Sequence, residues 1–498
     1  MRTIQLLITA IFILLLFLFD QQEAYSQIRQ PDIDAEMGVL GSGSSTPFWH
    51  YANTRGRIFP GSQFNQYTLV TAESAMTATD GSFDFGYGAT ALSRFSDTQN
   101  AFRFEQLYGG IRFGGFQLKA GRFHDEIGEG MIRTDLSFGS MIQSQNAVPI
   151  PKIQLRTVDY IDVPFTQGVL SFKGMYSDGI LEADREIESP YIHQKSLHAK
   201  ISIENGEVMF GVIHNVVWAG THPDRGRLPQ GLDDYLRIVT LKPAEPGSAT
   251  KVEESNRLGN SVAAYDFAGT YRFHNTRLLL YRQIYLEDTV GARVWRSYWD
   301  GTYGIGLQRV EGSGLVNSFM YEIIHTIKQD SESRFYPQGR ANYYGHYAYQ
   351  TGWTYKGAVI GNPLLTFDPE SERMINNVVV GHHIGVSGDI NPALNYKFYV
   401  TYTRNHGVCR DQVITGSCNI SNDPNSDFPL PPDNLEVREL RDIREHQFSF
   451  LVTTSYLVRQ NSGVRIHSSL AADVGQFYGN RVGLMAGISI SDFSQFLR

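Results

Sequence analysis

"SLHAKISIENGE" occupies residues 196–207, and its alternation decides the fold. Leu197, Ala199, Ile201 and Ile203 fall on one side of an extended chain, with Ser196, His198, Lys200, Ser202 and Glu204 on the other. Successive side chains of a strand point to opposite faces. Asn205-Gly206 then supplies the dipeptide that accepts the positive φ angles of a type I′ turn. The stretch reads as the arm and turn of a hairpin that separates an apolar from a polar environment.

The same period recurs along the chain. "SFDFGYGATA" (82–91) sets Phe83, Phe85, Tyr87, Ala89 and Ala91 against Ser82, Asp84, Gly86, Gly88 and Thr90. "GVRIHSSLAADV" (463–474) sets Val464, Ile466, Leu470, Ala472 and Val474 against Arg465, His467, Ser469 and Asp473. "VGLMAGISI" (482–490) repeats the pattern, and "DIDAEMGVLG" (32–41) reads as the first strand. Alternation alone permits two structures. In a soluble sandwich the apolar faces meet; in a membrane barrel they face lipid and the polar faces line the lumen.

Connection lengths separate the two. Short connections around Asn205-Gly206, "RFHN" (272–275) and "VEGSG" (310–314) alternate with long ones near 123–154, 178–195, 216–257, 288–300, 329–344 and 406–443. A membrane barrel has short turns at its periplasmic end and long loops at its extracellular end; a sandwich has no reason for the pattern. The expectation is an all-β chain forming a single antiparallel transmembrane β-barrel of about 18 strands, up to about 20, since parity demands an even number. The bookkeeping breaks between Gly357 and Asn377. "HYAYQTGWTY" (346–355) also alternates, placing Tyr347, Tyr349, Thr351, Trp353 and Tyr355 on one amphipathic, aromatic face. It is expected to be a strand at the lipid–water interface.

Residues 1–26 read as a secretory signal peptide. Arg2 precedes an apolar run from Ile4 to Phe19, and Ala24-Tyr25-Ser26 ends it with a small–x–small cleavage pattern. Residues 27–498 are then one barrel domain, since no later window has the roughly 18 uncharged apolar residues of a spanning helix. The composition agrees. With 27 Tyr, 30 Phe and 48 Gly but only 19% charged residues, the chain is aromatic, while its mean hydropathy is just −0.26. That combination suits aromatic girdles around a wet interior. A net charge of −8 weighs against nucleic acid as a partner. Cys409 and Cys418 are the two cysteines, and in an exported chain their spacing points to a disulfide closing a small loop. A pair of free thiols is the plainer alternative; a metal site lacks nearby partners.

Several stretches, in order, carry a family resemblance: "TPFWHYANTRG" (46–56), "KAGRFHDEIGEG" (119–130), "AVPIPKI" (147–153), "DVPFTQGVLSFKG" (162–174), "HQKSLHAKISIENGEVMFGVIHNVVWAGTHP" (193–223), "YRQIYLEDTVG" (281–291), "NYYGHYAYQTGW" (342–353) and "INNVVVGHHIG" (375–385). Through them the chain resembles the capsule-assembly Wzi family of outer-membrane proteins. The resemblance implies an 18-strand outer-membrane barrel with a lectin-like role, holding or organising exported capsular or extracellular polysaccharide, and no catalysis. It implies capsule-export components as possible partners alongside polysaccharide and outer-membrane lipid, and no cofactor. Two features depart from the family's pattern. The chain ends "FSQFLR" rather than on an aromatic residue, and no amphipathic helix stands out between Gln27 and Gln66.

Candidate chemistry is sparse. His382 and His383 are neighbours on a strand and so face opposite ways, which argues against a shared metal ion. One is expected to line the lumen and the other to lie near the interface. "GRFHDEIGEG" (121–130) offers His124, Asp125, Glu126 and Glu129, an acid–base set in principle. The plainer reading is a solvated outer loop in which Arg122 and Arg133 pair the acids. "HNVVWAGTHP" (214–223) ends a strand with His214, Asn215 and Trp218, which together resemble a sugar-contacting set: rings stack on pyranose faces and amides bind hydroxyls. The same residues would equally finish an aromatic girdle or plug the lumen. Asn342, Tyr343, Tyr344, Asn376 and Asn377 form a second such set. Three functions stay open: a non-enzymatic polysaccharide-associated barrel, a porin or solute channel, and an outer-membrane enzyme acting on glycan or lipid. For the enzyme no G-x-S-x-G elbow or other nucleophile motif is present.

Overall fold

The computed structural model of the chain describes residues 31–77, 83–247, 257–287, 297–330, 341–346, 348–408, 444–459 and 463–491. The leader read at 1–26, Cys409, Cys418 and the chain end lie outside them.

Alternating segments become the strands β1 (Asp32–Ser42), β2 (Phe64–Ser74), β3 (Phe83–Ser96), β4 (Ala101–Phe113), β5 (Phe116–Arg122), β6 (Pro151–Thr157), β7 (Leu170–Ile180), β8 (Tyr191–Ile203) and β9 (Gly206–Trp218). They continue as β10 (Asn260–Phe273), β11 (Thr276–Glu287), β12 (Gly301–Arg309), β13 (Ser318–His325), β14 (Val379–Asn391), β15 (Leu394–Asn405), β16 (Glu445–Arg459), β17 (Val464–Gly475) and β18 (Arg481–Ile490). Each pairs antiparallel with its neighbours in sequence, and β1 pairs with β18 from Ala35↔Ile490 to Ser42↔Gly483. The sheet is thus a closed barrel of 18 strands. Closure leaves no strand edge unpaired, the condition for a sheet to cross a bilayer.

The long connections leave from one end of the barrel, except 158–169, which lies at the other end with the tight turns 114–115, 204–205, 274–275 and 392–393. The gap in the strand bookkeeping has a simple cause. The described residues of 326–378 contain no barrel strand; in the connection between β13 and β14 they form two small hairpins, Thr354–Tyr355 with Ala358–Val359 and Thr366–Asp368 with Arg373–Asn376.

The outer wall is apolar and bare. Leu197, Ile201, Val208, Phe210, Leu470 and Leu484 are all exposed on it. Aromatic rings mark both rims: Phe64, Phe95, Phe102 and Phe104 at the long-loop end, and Phe83, Phe113, Phe116, Tyr271 and Phe273 at the turn end. Such a band between two girdles is the signature of a lipid-facing wall. The folded barrel should resist SDS at room temperature and migrate differently once boiled. Identical migration before and after boiling would contradict a closed barrel.

Two α-helices are present among the described residues. α1 (Phe48–Tyr51) belongs to the connection between β1 and β2, and α2 (Leu232–Thr240) to the one between β9 and β10.

Candidate functional site

The interior is filled by the protein's own loops. Residues 123–150 leave β5 and descend through the lumen. Near the loop's turning point Arg133 reaches Glu207 at 2.7 Å, and Gln308 Nε2 donates to the Arg133 carbonyl at 2.8 Å. Glu207 and Gln308 lie near the turn-end tips of β9 and β12, so the loop runs nearly the depth of the wall. Inward polar side chains of the wall fasten it. Glu322 accepts hydrogen bonds from Ser137 Oγ (2.6 Å) and Phe138 N (2.7 Å). Gln283 Oε1 accepts from Ser140 Oγ and Met141 N, and Asp266 from Glu129 N. These contacts satisfy a loop backbone that lies away from water.

The other two inward loops pack against this one. From residues 43–63, α1 inserts Phe48 and Trp49; Phe48 N donates to Asp473 at 2.9 Å and Trp49 Nε1 to Thr401 Oγ1 at 3.0 Å. From residues 326–378, Trp353 Nε1 donates to the Ile142 carbonyl (2.7 Å), Tyr344 Oη to the Met141 carbonyl (2.6 Å) and Asn362 Nδ2 to the Gly139 carbonyl (2.7 Å). Phe138, Met141, Ile142, Tyr343, Tyr344, Tyr349, Trp353 and Tyr355 share one buried apolar cluster with the wall residues Ile213, Val262, Tyr285 and Ile324.

Two expectations are corrected here. "HYAYQTGWTY" is not an interfacial strand: Tyr349, Trp353 and Tyr355 are buried inside the barrel, and only Thr354–Tyr355 is extended. Tyr347 lies outside the described residues. Rings with polar tips suit a buried plug that offers carbonyl partners as well as they suit an interface. Nor is 121–130 a solvated outer loop, since Asp125 and Glu129 are almost wholly covered. Arg133 does pair Glu129 (3.4 Å), along with Lys173, but Arg122 instead donates to Tyr355 Oη and the Phe104 carbonyl.

The eight candidate sugar contacts are dispersed. Asn215 faces the lumen and is fully buried, whereas His214 and Trp218 face outward and are buried, Trp218 against Tyr235 and Ile238 of α2. Adjacent strand residues cannot share a face. His214 Nε2 meets Ser261 Oγ at 2.8 Å, and Trp218 packs edge-on against Tyr191. In the second set Tyr343 Oη donates to Asp300 (2.9 Å), Asn377 Nδ2 to Asn342 Oδ1 (2.6 Å) and the Tyr343 carbonyl (2.9 Å), and Asn376 Nδ2 to Asn405 (2.9 Å). Asn342 is half-buried; the other seven are buried.

The histidine pair behaves as its alternation requires. His383 points inward, against Trp49 and Phe138, with its Nε2 meeting the Leu136 carbonyl at 3.0 Å. His382 points outward between Tyr321 and Tyr402. Among the described residues no group of three or more His, Cys, Asp or Glu could hold a metal ion.

A charged cluster joins His124, Asp125 and Glu126 of the 121–130 stretch to Glu105, Arg55 and Arg57, which the sequence did not single out. The β3–β4 register shifts between Thr90 and Ala91, leaving Glu105 as an extra residue, so that Glu105 and Gln106 are both buried inward. A bulge re-aims side chains in this way. Glu105 receives both Arg57 Nε and Nη2 (2.8 and 2.7 Å) and lies 2.7 Å from His124 Nε2. Beside it a polar crevice of about 270 Å³ is lined by Arg55, His124, Asp125, Glu126, Gln143, Gln145 and Arg156. Burial works against charge on Asp125, but Lys152 at 2.7 Å and Arg156 outweigh it and hold its carboxyl below the usual range. Burial pushes the Glu126 carboxyl up, and burial with the neighbouring Arg57 pulls Arg55 down to about 10. The cluster pins loops 43–63 and 123–150 to the wall, and offers donors and acceptors rather than a free base.

The closed sheet, bare apolar wall and self-filled lumen define an integral β-barrel plugged by its own loops. The family model for capsule assembly protein Wzi matches residues 44–374, two thirds of the chain, and includes all three inward loops almost entirely. The chain belongs to this family. Among solved structures it is similar to Wzi of Escherichia coli, described as an outer membrane protein involved in group 1 capsule assembly and a carbohydrate-binding β-barrel. That likeness has a TM-score of 0.56 at 14% identity and covers 94% of this chain and 86% of the other; at such identity it is a likeness of fold. Pseudomonas aeruginosa OpdO (TM-score 0.47, 11% identity, 94% and 98% covered) and OccK5 (TM-score 0.46, 9%, 93% and 98%) also align. No curated protein sequence matches the chain.

Proposed function

We propose that this protein is a non-enzymatic barrel of the outer membrane that holds exported polysaccharide at the cell surface. Family membership supports the capsule role. The observation that favours it over a porin is the filled lumen, in which loops 43–63, 123–150 and 326–378 hydrogen-bond to one another and to the wall. An open channel of this strand number would need that space for water.

The outer end is then a cap that presents a surface. Loop 181–190 and the hairpins of 354–376 are tied together there. Arg185 donates to the Thr354 and Gly352 carbonyls, Lys356 pairs with Asp184 at 2.8 Å, and Arg373 with Glu186 at 3.3 Å. Direct glycan contact falls to the accessible groups of this cap, with Asn342 among them. Asn215, Tyr343, Tyr344, Asn376 and Asn377 lie buried inside the barrel, and His214 and Trp218 on the outer face of its wall.

Surface-bound polysaccharide should fall in a strain lacking the protein, with the polymer released into the medium, and recover when the gene is restored. A variant carrying Lys356→Ala and Arg373→Ala should assemble a heat-modifiable barrel yet restore retention poorly. Unchanged retention in the deletion strain would refute the capsule role. Full rescue by the cap variant would refute the cap as the contact surface.

A further inference from the structure

One element of the outer end lies outside the barrel rather than in it. α2 rests on the outer faces of β7, β8 and β9. Its Tyr235 Oη donates to Asp178 Oδ2 at 2.8 Å and meets Tyr176 Oη at 2.6 Å, and Lys195 donates to the Val239 carbonyl. Ile238 is buried with Val216, Trp218, Ala219, Ala244 and Leu258. The docking has a clear physical reason. Near their outer ends these strands carry Asp178, His193 and Lys195 on the lipid side, where uncovered polar groups are costly. α2 and its neighbours cover His193 fully and Asp178 and Lys195 in part, and His193 also meets Asp178 at 2.9 Å.

The helix is amphipathic beyond what this contact uses. At 3.6 residues per turn, Leu232, Tyr235, Leu236, Ile238 and Val239 share one arc, opposite Asp233, Asp234, Arg237 and Thr240. The barrel takes only the Tyr235–Ile238 flank. Leu232 and Leu236 on the other flank remain 65% and 51% exposed. On the same outward rows, the next residues toward the membrane below Lys195 and His214 are Leu197 and Val212. They are paired across β8 and β9 and are 58% and 45% exposed. The free leucine flank therefore adjoins the lipid-facing band.

We propose that α2 is an in-plane membrane element, with Leu232 and Leu236 seated among the acyl chains of the outer leaflet and Arg237 facing water. The inference rests on the reading of the barrel as membrane-spanning. The occupant of the flank is lipid because the exposed leucines continue a surface already covered by lipid, and because a helix with one apolar and one charged arc lies flat in such an interface. α2 then sets the depth of the barrel in the membrane on the β7–β9 side.

The test uses the full chain with Cys409→Ser and Cys418→Ser, reconstituted in phosphatidylethanolamine–phosphatidylglycerol vesicles. Single cysteines at Leu197, Leu236 and Arg237 carry a nitroxide, and its collisions with oxygen and with a water-soluble nickel chelate are compared. None of the three side chains is packed in the core, and heat-modifiability confirms folding. The oxygen-to-nickel ratio at Leu236→Cys should match that at Leu197→Cys and exceed that at Arg237→Cys several-fold. If Leu197→Cys reports lipid while Leu236→Cys reports water as Arg237→Cys does, α2 is not in the membrane and the proposal fails alone. If Leu197→Cys itself reports water, the membrane-spanning reading fails, and the proposal with it.

Discussion

Replacing residues 327–377 by a tight turn should turn a sealed barrel into a conducting one. The splice is geometrically mild. His325 and Val380 are already cross-strand partners, and Thr326 N donates to the Val379 carbonyl at 2.9 Å, so β13 and β14 need only a hairpin turn of about four residues to join them. The wall loses nothing, while the lumen loses Tyr343, Tyr344, Tyr349, Trp353 and Tyr355 from its largest buried cluster. Loop 123–150 is left with the Gly139, Met141 and Ile142 carbonyls unpaired. An 18-strand wall encloses enough room for an aqueous channel. In planar bilayers the parent should conduct little and the excised protein should approach an open barrel of its size. If the excised protein is heat-modifiable and still closed, the loop is not the seal.

The second large effect concerns a single glycine. Gly361 lies where the two main inward loops touch: a methyl added there would overlap both Tyr344 Oη and the Met141 carbonyl oxygen. One partner is backbone and the other is a fully buried ring, so neither can swing aside. Gly361→Val should cost about 1–3 kcal/mol in overpacking. It should cost a further ~1–3 kcal/mol if the bonds from Tyr344 Oη to Met141 and from Asn362 N to Tyr344 Oη are lost unreplaced. Hydrogen exchange should accelerate in residues 341–365 and 137–146 while the strands stay protected. Tyr344→Phe should produce a milder form of the same change. Exchange in Gly361→Val that matches the parent would mean the loops can separate here without cost.

The wall was readable because a barrel strand obeys one rule at every position. The period of two placed Leu197, Phe83 and Val474 outward, and separated His382 from His383. The same rule separates His214 from Asn215, so the cluster at the end of β9 could never have formed one pocket. The interior was less readable, for a physical reason. Loop backbone is satisfied equally well by water outside and by partners such as Glu322 and Gln283 inside, so composition does not reveal where a loop goes. Glu105 escaped notice because its role depends on a bulge, which breaks the alternation that made its neighbours legible.

The bonds made by α1 bear on how the protein is built. Phe48 reaches Asp473 across 425 residues of chain, His50 reaches Ser469 across 419, and Trp49 reaches Thr401 across 352. Contacts of such separation form late, because the intervening chain must first be brought together. A growing barrel therefore waits for β17 to complete its interior and for β18 to close its wall, and the two events coincide. Filling and closure test each other: a chain that stops before Val464 lacks both the strand that receives α1 and the strand that meets β1, and exposes both faults at once to whatever inspects it.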